Sequence, residues 1–238
     1  MSAGPARARK LAILLPPSEG KTEGGSGRPW QPGTMALPAL DDRRLQVLAT
    51  LDPAIAVAPT RRARDRYDGV LYRELAPSRL PAALRRRFDH QALIVSGLWG
   101  LVAPTDPIPA YRLKMSAAPP GLGRLSTWWR PALTEVLAER LVGHTVWDLL
   151  PIEHAAAWTP AEVRVARRFT VRFVTAGGGT VSHWNKLLKG ALVRHLLEHQ
   201  TTDPADLADF VHPAGYRFDP DATELRSDGG VLTFRAIG

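Results

Sequence analysis

The chain has 238 residues, a net charge of +8, 45% hydrophobic content and no cysteine. This composition suits a folded protein with a sizeable core and excludes fibrous and disordered classes; the lack of thiols excludes disulfides, iron-sulfur clusters, thiolate zinc and cysteine nucleophiles. No apolar run reaches membrane length and the charged start MSAGPARARK leads into no signal-peptide core, so a cytoplasmic protein with no membrane partner is expected.

Residues 1–10 read as a flexible N-terminal tail and 11–238 as a single domain, because no repeat or low-complexity linker divides them. From Leu11 to Gly25 a buried-strand pattern runs into a polar, glycine-rich loop with Ser18, Glu19, Lys21 and Thr22. Backbone amides freed by glycine and the Lys21 ammonium suit an anion, and ligands sit at the ends of parallel strands. Gly20, Lys21 and Thr22 match the end of a nucleotide-binding P-loop, but Leu15 stands where its first glycine belongs. The following GGSGRPWQPG cannot open the helix that motif needs.

Residues 24–38 read as loop, 41–51 as a helix opened by acids, and YDGVLYREL at 67–75 as an apolar and aromatic patch facing the loop. Arginines cluster at 61, 62, 64 and 66, at 85–87, and at 164, 167 and 168. Such clusters favour a polyanion or an anionic substrate, although a high-GC genome writes the same bias and charge runs are often solvated faces. Ala92 to Ser96 reads as a strand ending at Gly97. Residues 96–116 then read as a long irregular loop that brings Asp106, Tyr111, Arg112 and Lys114 close together, the kind of loop that carries function.

A helix is expected over 128–141 with Pro131 near its start, a buried strand over 145–149 and a further strand over 163–175. The strongest helix signal is 182–200, with Ser182 as N-cap and Leu187, Leu188, Leu192, Val193, Leu196 and Leu197 facing the core. Gly190 inside it marks a close backbone approach. Asn185, Lys186 and Lys189 occupy its first turns, where cations oppose the helix dipole unless an anion is present. His195, Glu198 and His199 spell an inverted zinc-peptidase motif, but a third ligand would have to come from Asp209, His212, Asp219 or Glu224, and a solvated helix end is the preferred reading. No metal or cofactor is therefore expected. There is no nucleophile elbow or dinucleotide fingerprint, Ser18 and Ser96 lack assignable triad partners, and His154 beside Glu153 reads as a surface or capping pair.

Several segments in order resemble the YaaA-type peroxide stress proteins: LLPPSEGKT at 14–22, YDGVLY at 67–72, VSGLWGLVAPTDPIPAYRLKM at 95–115, TVWDL at 145–149, SHWNKLLKGALVR at 182–194 and AGYRFDPD at 214–221. The resemblance implies an α/β fold, one domain with a central mixed β-sheet flanked by helices and a basic cleft, and a cytoplasmic role in peroxide defence with DNA binding. Carried over residue by residue, it falls on Ser18, Lys21, Tyr72, Ser96, Gly97, Asp106, Tyr111, Arg112, Asn185, Lys186, Lys189, Gly190 and Arg194. Leu150 and Pro151 stand where actinobacterial-type members lead one to expect Arg and Ser, and His154 where a Tyr is expected, which points to a diverged member with an altered pocket.

Two readings follow. In one, Lys21, Arg112, Lys186, Lys189 and Arg194 contact DNA phosphates. In the other, the same pocket takes a nucleobase, nucleotide or other anionic small molecule; Lys21 or Lys186 acts as base or nucleophile, Asp106 or Tyr111 transfers protons, and Asn185 orients the substrate. Tyr72, Trp99, Tyr111 and Trp184 could stack a base in either case. The oligomeric state is left open.

Overall fold

The computed structural model describes residues 10–179 and 185–237. The expected tail, apart from Lys10, lies outside the described residues, as do Ser182 and Trp184. Among the described residues ten strands and eight α-helices follow in the order β1 (Lys10–Leu15), α1 (Asp41–Leu48), α2 (Ala54–Val57), β2 (Arg61–Arg62), α3 (Ala63–Arg66), α4 (Val70–Leu75), α5 (Ala82–Gln91), β3 (Ala92–Ser96), β4 (Gly100–Val102), β5 (Pro107–Ile108), α6 (Leu125–Arg140), β6 (His144–Asp148), α7 (Ile152–Ala155), β7 (Arg167–Val174), α8 (Asn185–His199), β8 (Val211–His212), β9 (Tyr216–Arg226) and β10 (Gly229–Ala236).

Eight strands form one mixed sheet in the order β4-β3-β1-β6-β7-β10-β9-β8, and β2 pairs with β5 apart from it. The run from β3 to β10 is parallel; β4, β9 and β8 are antiparallel additions at the edges. Parallel strands covered on both faces need continuous apolar runs, and β1, β3 and β6 are buried along nearly their whole length. The chain leaves β1 for β3 on one side and then crosses back to β6 on the other, so the strand order reverses at β1. In open α/β sheets a crevice forms at such a point, outside the carboxyl ends of the strands.

The anticipated elements are present with shifted ends. The strand expected over 163–175 is confined to Arg167–Val174, and residues 160–162 before it form a 3-10 turn. Helix α6 begins at Leu125, so Pro131 lies in its second turn. Residues 96–116 are not wholly irregular: Gly100 turns the chain with φ +68° and β4 returns antiparallel along β3. The β9–β10 hairpin escapes a periodicity reading, because its outer strand carries charge on both faces and is broken by a bulge.

Candidate ligand site at the strand ends

The loop after β1 owes its shape to the segment before α4. Lys21 forms a β-bridge with Tyr67, the Asp68 amide donates to Gly20 O at 3.0 Å, the Thr22 amide donates to Arg66 O at 2.8 Å, and the Tyr72 hydroxyl donates to Pro16 O at 2.8 Å. A Cβ on Gly20 would lie 2.5 Å from Asp68 O, so glycine there serves close chain packing. Ser18 turns its hydroxyl onto Gly20 O within the same loop.

This zipper brings Lys21 over two phenol rings. Its Nζ donates to Ser18 O at 2.9 Å and lies 4.1 Å from the Tyr111 ring centre and 5.5 Å from that of Tyr67. Burial and the nearby Arg112 hold its pKa down at about 8, against a smaller pull upward from Glu19. Glu19 itself is exposed and pairs with Lys114 at 3.5 Å. Lys21 is thus a half-buried amine whose charge is poorly compensated by the protein, the condition that a bound anion relieves.

Beneath it runs a chain of hydroxyls. Ser96 Oγ is 2.7 Å from Tyr111 OH, which is 2.9 Å from Tyr67 OH, and the Trp99 amide donates to Ser96 Oγ at 3.1 Å. Burial raises the pKa of Tyr111 to about 12 and that of Tyr67 and Tyr72 well above the usual value, so all three phenols are neutral at physiological pH. The three hydroxyls form one buried cluster. Gly97 continues from Ser96 and gives its carbonyl to Trp129 Nε1 at 2.8 Å. Tyr67 is the member that sequence reasoning missed; its one signal is its place at the head of YDGVLY.

The end of β6 forms the other wall, joined to β1 by the Leu149 amide donating to Leu14 O at 3.0 Å. Asp148 is buried and held by Arg168 (Nη2 at 2.5 Å, Nε at 3.0 Å) and by the Leu150 amide. Lys189 reaches back from α8 to donate to Leu149 O at 2.9 Å; burial lowers its pKa to about 8, with Asp148 pulling the other way. Asn185 opens α8 with a buried Oδ1 that lacks a hydrogen-bond partner, while Lys186 is exposed. Just beyond β6, His154 is buried with an unpartnered Nδ1, 3.4 Å from Glu153.

Other residues named from sequence are occupied by the scaffold. Both Asp106 carboxylate oxygens accept backbone amides, from Ala36 and Ala103 at 2.8 Å each, so this side chain pins two loops together. Arg194 donates to Leu75 O at 2.8 Å and ties α8 to α4. Arg112 is exposed beside Lys21. Part of the arginine clusters is taken up internally: Arg64 pairs with Asp89 at 2.5 Å, Arg66 donates to Ile108 O and Pro59 O, and Arg87 donates to Leu197 O, whereas Arg61, Arg62, Arg86 and Arg164 are exposed. The rings of His195 and His199 lie 4.3 Å apart at a tilt of 32°, and no group of three or more His, Asp or Glu side chains among the described residues is placed to hold a metal.

The family model of the peroxide stress protein YaaA matches residues 33–222. This chain belongs to the YaaA family. It is similar to a UPF0246 protein of Streptomyces coelicolor, 37% identical over 242 residues that cover 89% of this chain and 93% of that protein. A UPF0246 protein of Corynebacterium efficiens is 34% identical over 236 residues, covering 86% and 93%. One from Ruegeria is 33% identical over 166 residues, covering 66% and 65%. The large mixed sheet of this YaaA-family chain agrees with the fold that its sequence resemblance implies. No described helix is long and apolar enough to cross a membrane.

Proposed function

We propose that this YaaA-family protein acts in cytoplasmic peroxide defence by binding an anionic, nucleotide-like molecule in the crevice at the ends of β1, β3 and β6. The observation that carries this reading is Lys21, a half-buried amine stacked on Tyr111 and repelled by Arg112. A phosphate or carboxylate beside Lys21 and Arg112 supplies the missing counter-charge. The buried Ser96–Tyr111–Tyr67 hydroxyl cluster holds the ring on which the Lys21 ammonium rests. Asn185, with its buried Oδ1 unpartnered, extends the site at the first turn of α8.

Calorimetric titration with a nucleoside monophosphate and its parent nucleoside tests the reading. The monophosphate binds, the nucleoside binds at least about tenfold more weakly, and Lys21→Ala removes the difference. Equal binding of both ligands, or a Lys21→Ala variant with unchanged affinity, overturns it.

DNA is the second reading, favoured by the net charge of +8 and by exposed Arg61, Arg62, Arg112 and Lys186. It requires affinity for a gapped duplex to fall steeply with salt and the slope to flatten in Lys186→Ala. The internal hydrogen bonds of Lys189 and Arg194 remove two of the phosphate contacts it would otherwise use.

A further inference from the structure

The segments after β1 and β6 leave these adjacent strands in opposite directions, one toward β3 and the other toward β7, so residues 16–21 and 149–154 form the two walls of the crevice. Helix α8 touches both walls. Its Gly190 packs against Leu71 O of α4, the helix whose Tyr72 hydroxyl holds Pro16 O, and its Lys189 donates to Leu149 O. Lys21 is the cation of the first wall. The second wall carries hydrogen-bonding groups that the protein leaves unused.

His154 is one of them. The sequence reads it as a surface or capping residue, yet it is only 6% exposed. Its Nδ1 is enclosed without a hydrogen bond, and the Glu153 carboxylate stands 3.4 Å from that nitrogen. A carboxylate on that side fixes the tautomer: Nδ1 carries the proton and Nε2 keeps its lone pair. Burial, the larger influence, holds the ring's pKa below its usual value against the pull of Glu153, so the ring is neutral at physiological pH. Nε2 makes no hydrogen bond among the described residues and is not enclosed, which leaves it a free acceptor.

Asn185 adds a second acceptor. It lies one turn before Lys189 on the same face of α8, and Lys189 fastens that face to Leu149. Its Oδ1 is enclosed without a partner. Lys189 gives one of its three N–H groups to Leu149 O and has the others to offer. Asp148, at the foot of this wall, is already held by Arg168 and the Leu150 amide, so it does not compete for a ligand. The wall therefore offers one donor and two acceptors, and an edge that fails to match them strands a buried polar group.

We propose that the crevice takes a guanine nucleotide. The Lys189 ammonium donates to the base carbonyl, Asn185 Oδ1 accepts the ring N–H, His154 Nε2 accepts the exocyclic amino group, and the phosphate lies beside Lys21 and Arg112. Hypoxanthine lacks the amino group, and adenine has an acceptor in place of the ring N–H and no carbonyl. This inference rests on the nucleotide reading of Lys21 and adds the identity of the base.

The test is calorimetry on the full chain with the monophosphates and the parent nucleosides of guanine, hypoxanthine and adenine. Guanosine monophosphate binds most tightly, inosine monophosphate about tenfold more weakly for one lost hydrogen bond, and adenosine monophosphate weaker by about another tenfold or more. The nucleosides keep this order at lower affinity. His154→Phe makes guanine and hypoxanthine equal, whereas Lys21→Ala weakens every monophosphate and keeps the order of bases. Equal affinity for the three bases, or an order led by adenine, overturns the inference, and monophosphates that still exceed their nucleosides leave the Lys21 reading standing. A guanine-first order with no gain from phosphate supports the base assignment and removes the Lys21 reading. No binding by any of the six ligands overturns both. The ligand series decides on unmodified protein, whether or not the His154 variant folds.

Discussion

Lys21 illustrates how a single side chain acquires character that its sequence context cannot convey. Written as SEGKT it is a loop lysine; in the fold it is an amine over two rings with a pKa of about 8. Affinity for an anionic ligand should therefore decline as pH rises through 8, where a surface lysine would hold its charge to about pH 10, and titrations from pH 6.5 to 9.5 check this. Buried Arg44 carries a different burden: it donates to Trp99 O, Leu101 O and Leu37 O and pairs with Asp41. Arg44→Met should cost about 3 to 5 kcal/mol in denaturant unfolding, because the carbonyls and a buried carboxylate lose their partner together. Nothing in DDRRLQVL separates this arginine from its half-buried neighbour Arg43, whereas depth in the core does.

Among the elements, α4 and α8 show a sequence expectation meeting its cause. Gly190 implied a close approach, and a Cβ there would lie 2.5 Å from Leu71 O and 2.7 Å from Glu74 Cβ on α4. Gly190→Ala should accordingly destabilise by about 1 to 3 kcal/mol through forced separation of the helices, despite alanine's better helix propensity. A lowered unfolding midpoint with retained helical circular dichroism is the expected result. The hydroxyl chain is a second inter-element feature: Ser96 ends β3, Tyr111 follows β5 and Tyr67 precedes α4, so their meeting depends on three separate chain segments.

For the whole molecule, buried titrating groups set a pH profile. Lys21 and Lys189 have folded pKa values near 8 against 10.5 for the ordinary side chain, so between these values the unfolded chain holds more protons and stability rises with pH. Below about 8 both states are charged and the burial penalty is present in full. The three raised tyrosines act oppositely above pH 10, where the unfolded chain loses phenolic protons first. Urea midpoints should therefore rise from pH 8 toward 10 and then fall, and Lys189→Met should flatten the rise. The +8 net charge is shared between internal braces and surface, since Arg44, Arg64 and Arg66 are buried.

The apolar runs of β1, β3 and β6 and the leucine spacing of α8 were legible in the amino-acid order alone, because burial on both faces and helical periodicity are local patterns. So was family membership, which rests on ordered segments along the chain. Lys21, Ser96, Tyr111 and Lys189 could be named as polar residues near strand or helix ends. Only the tertiary structure decided that Lys21 rests on Tyr111, that Tyr67 completes the hydroxyl chain and that Asp106 is spent on backbone amides. These are contacts between segments tens of residues apart, fixed by strand order and loop packing, and strand order is a long-range property that no local pattern encodes.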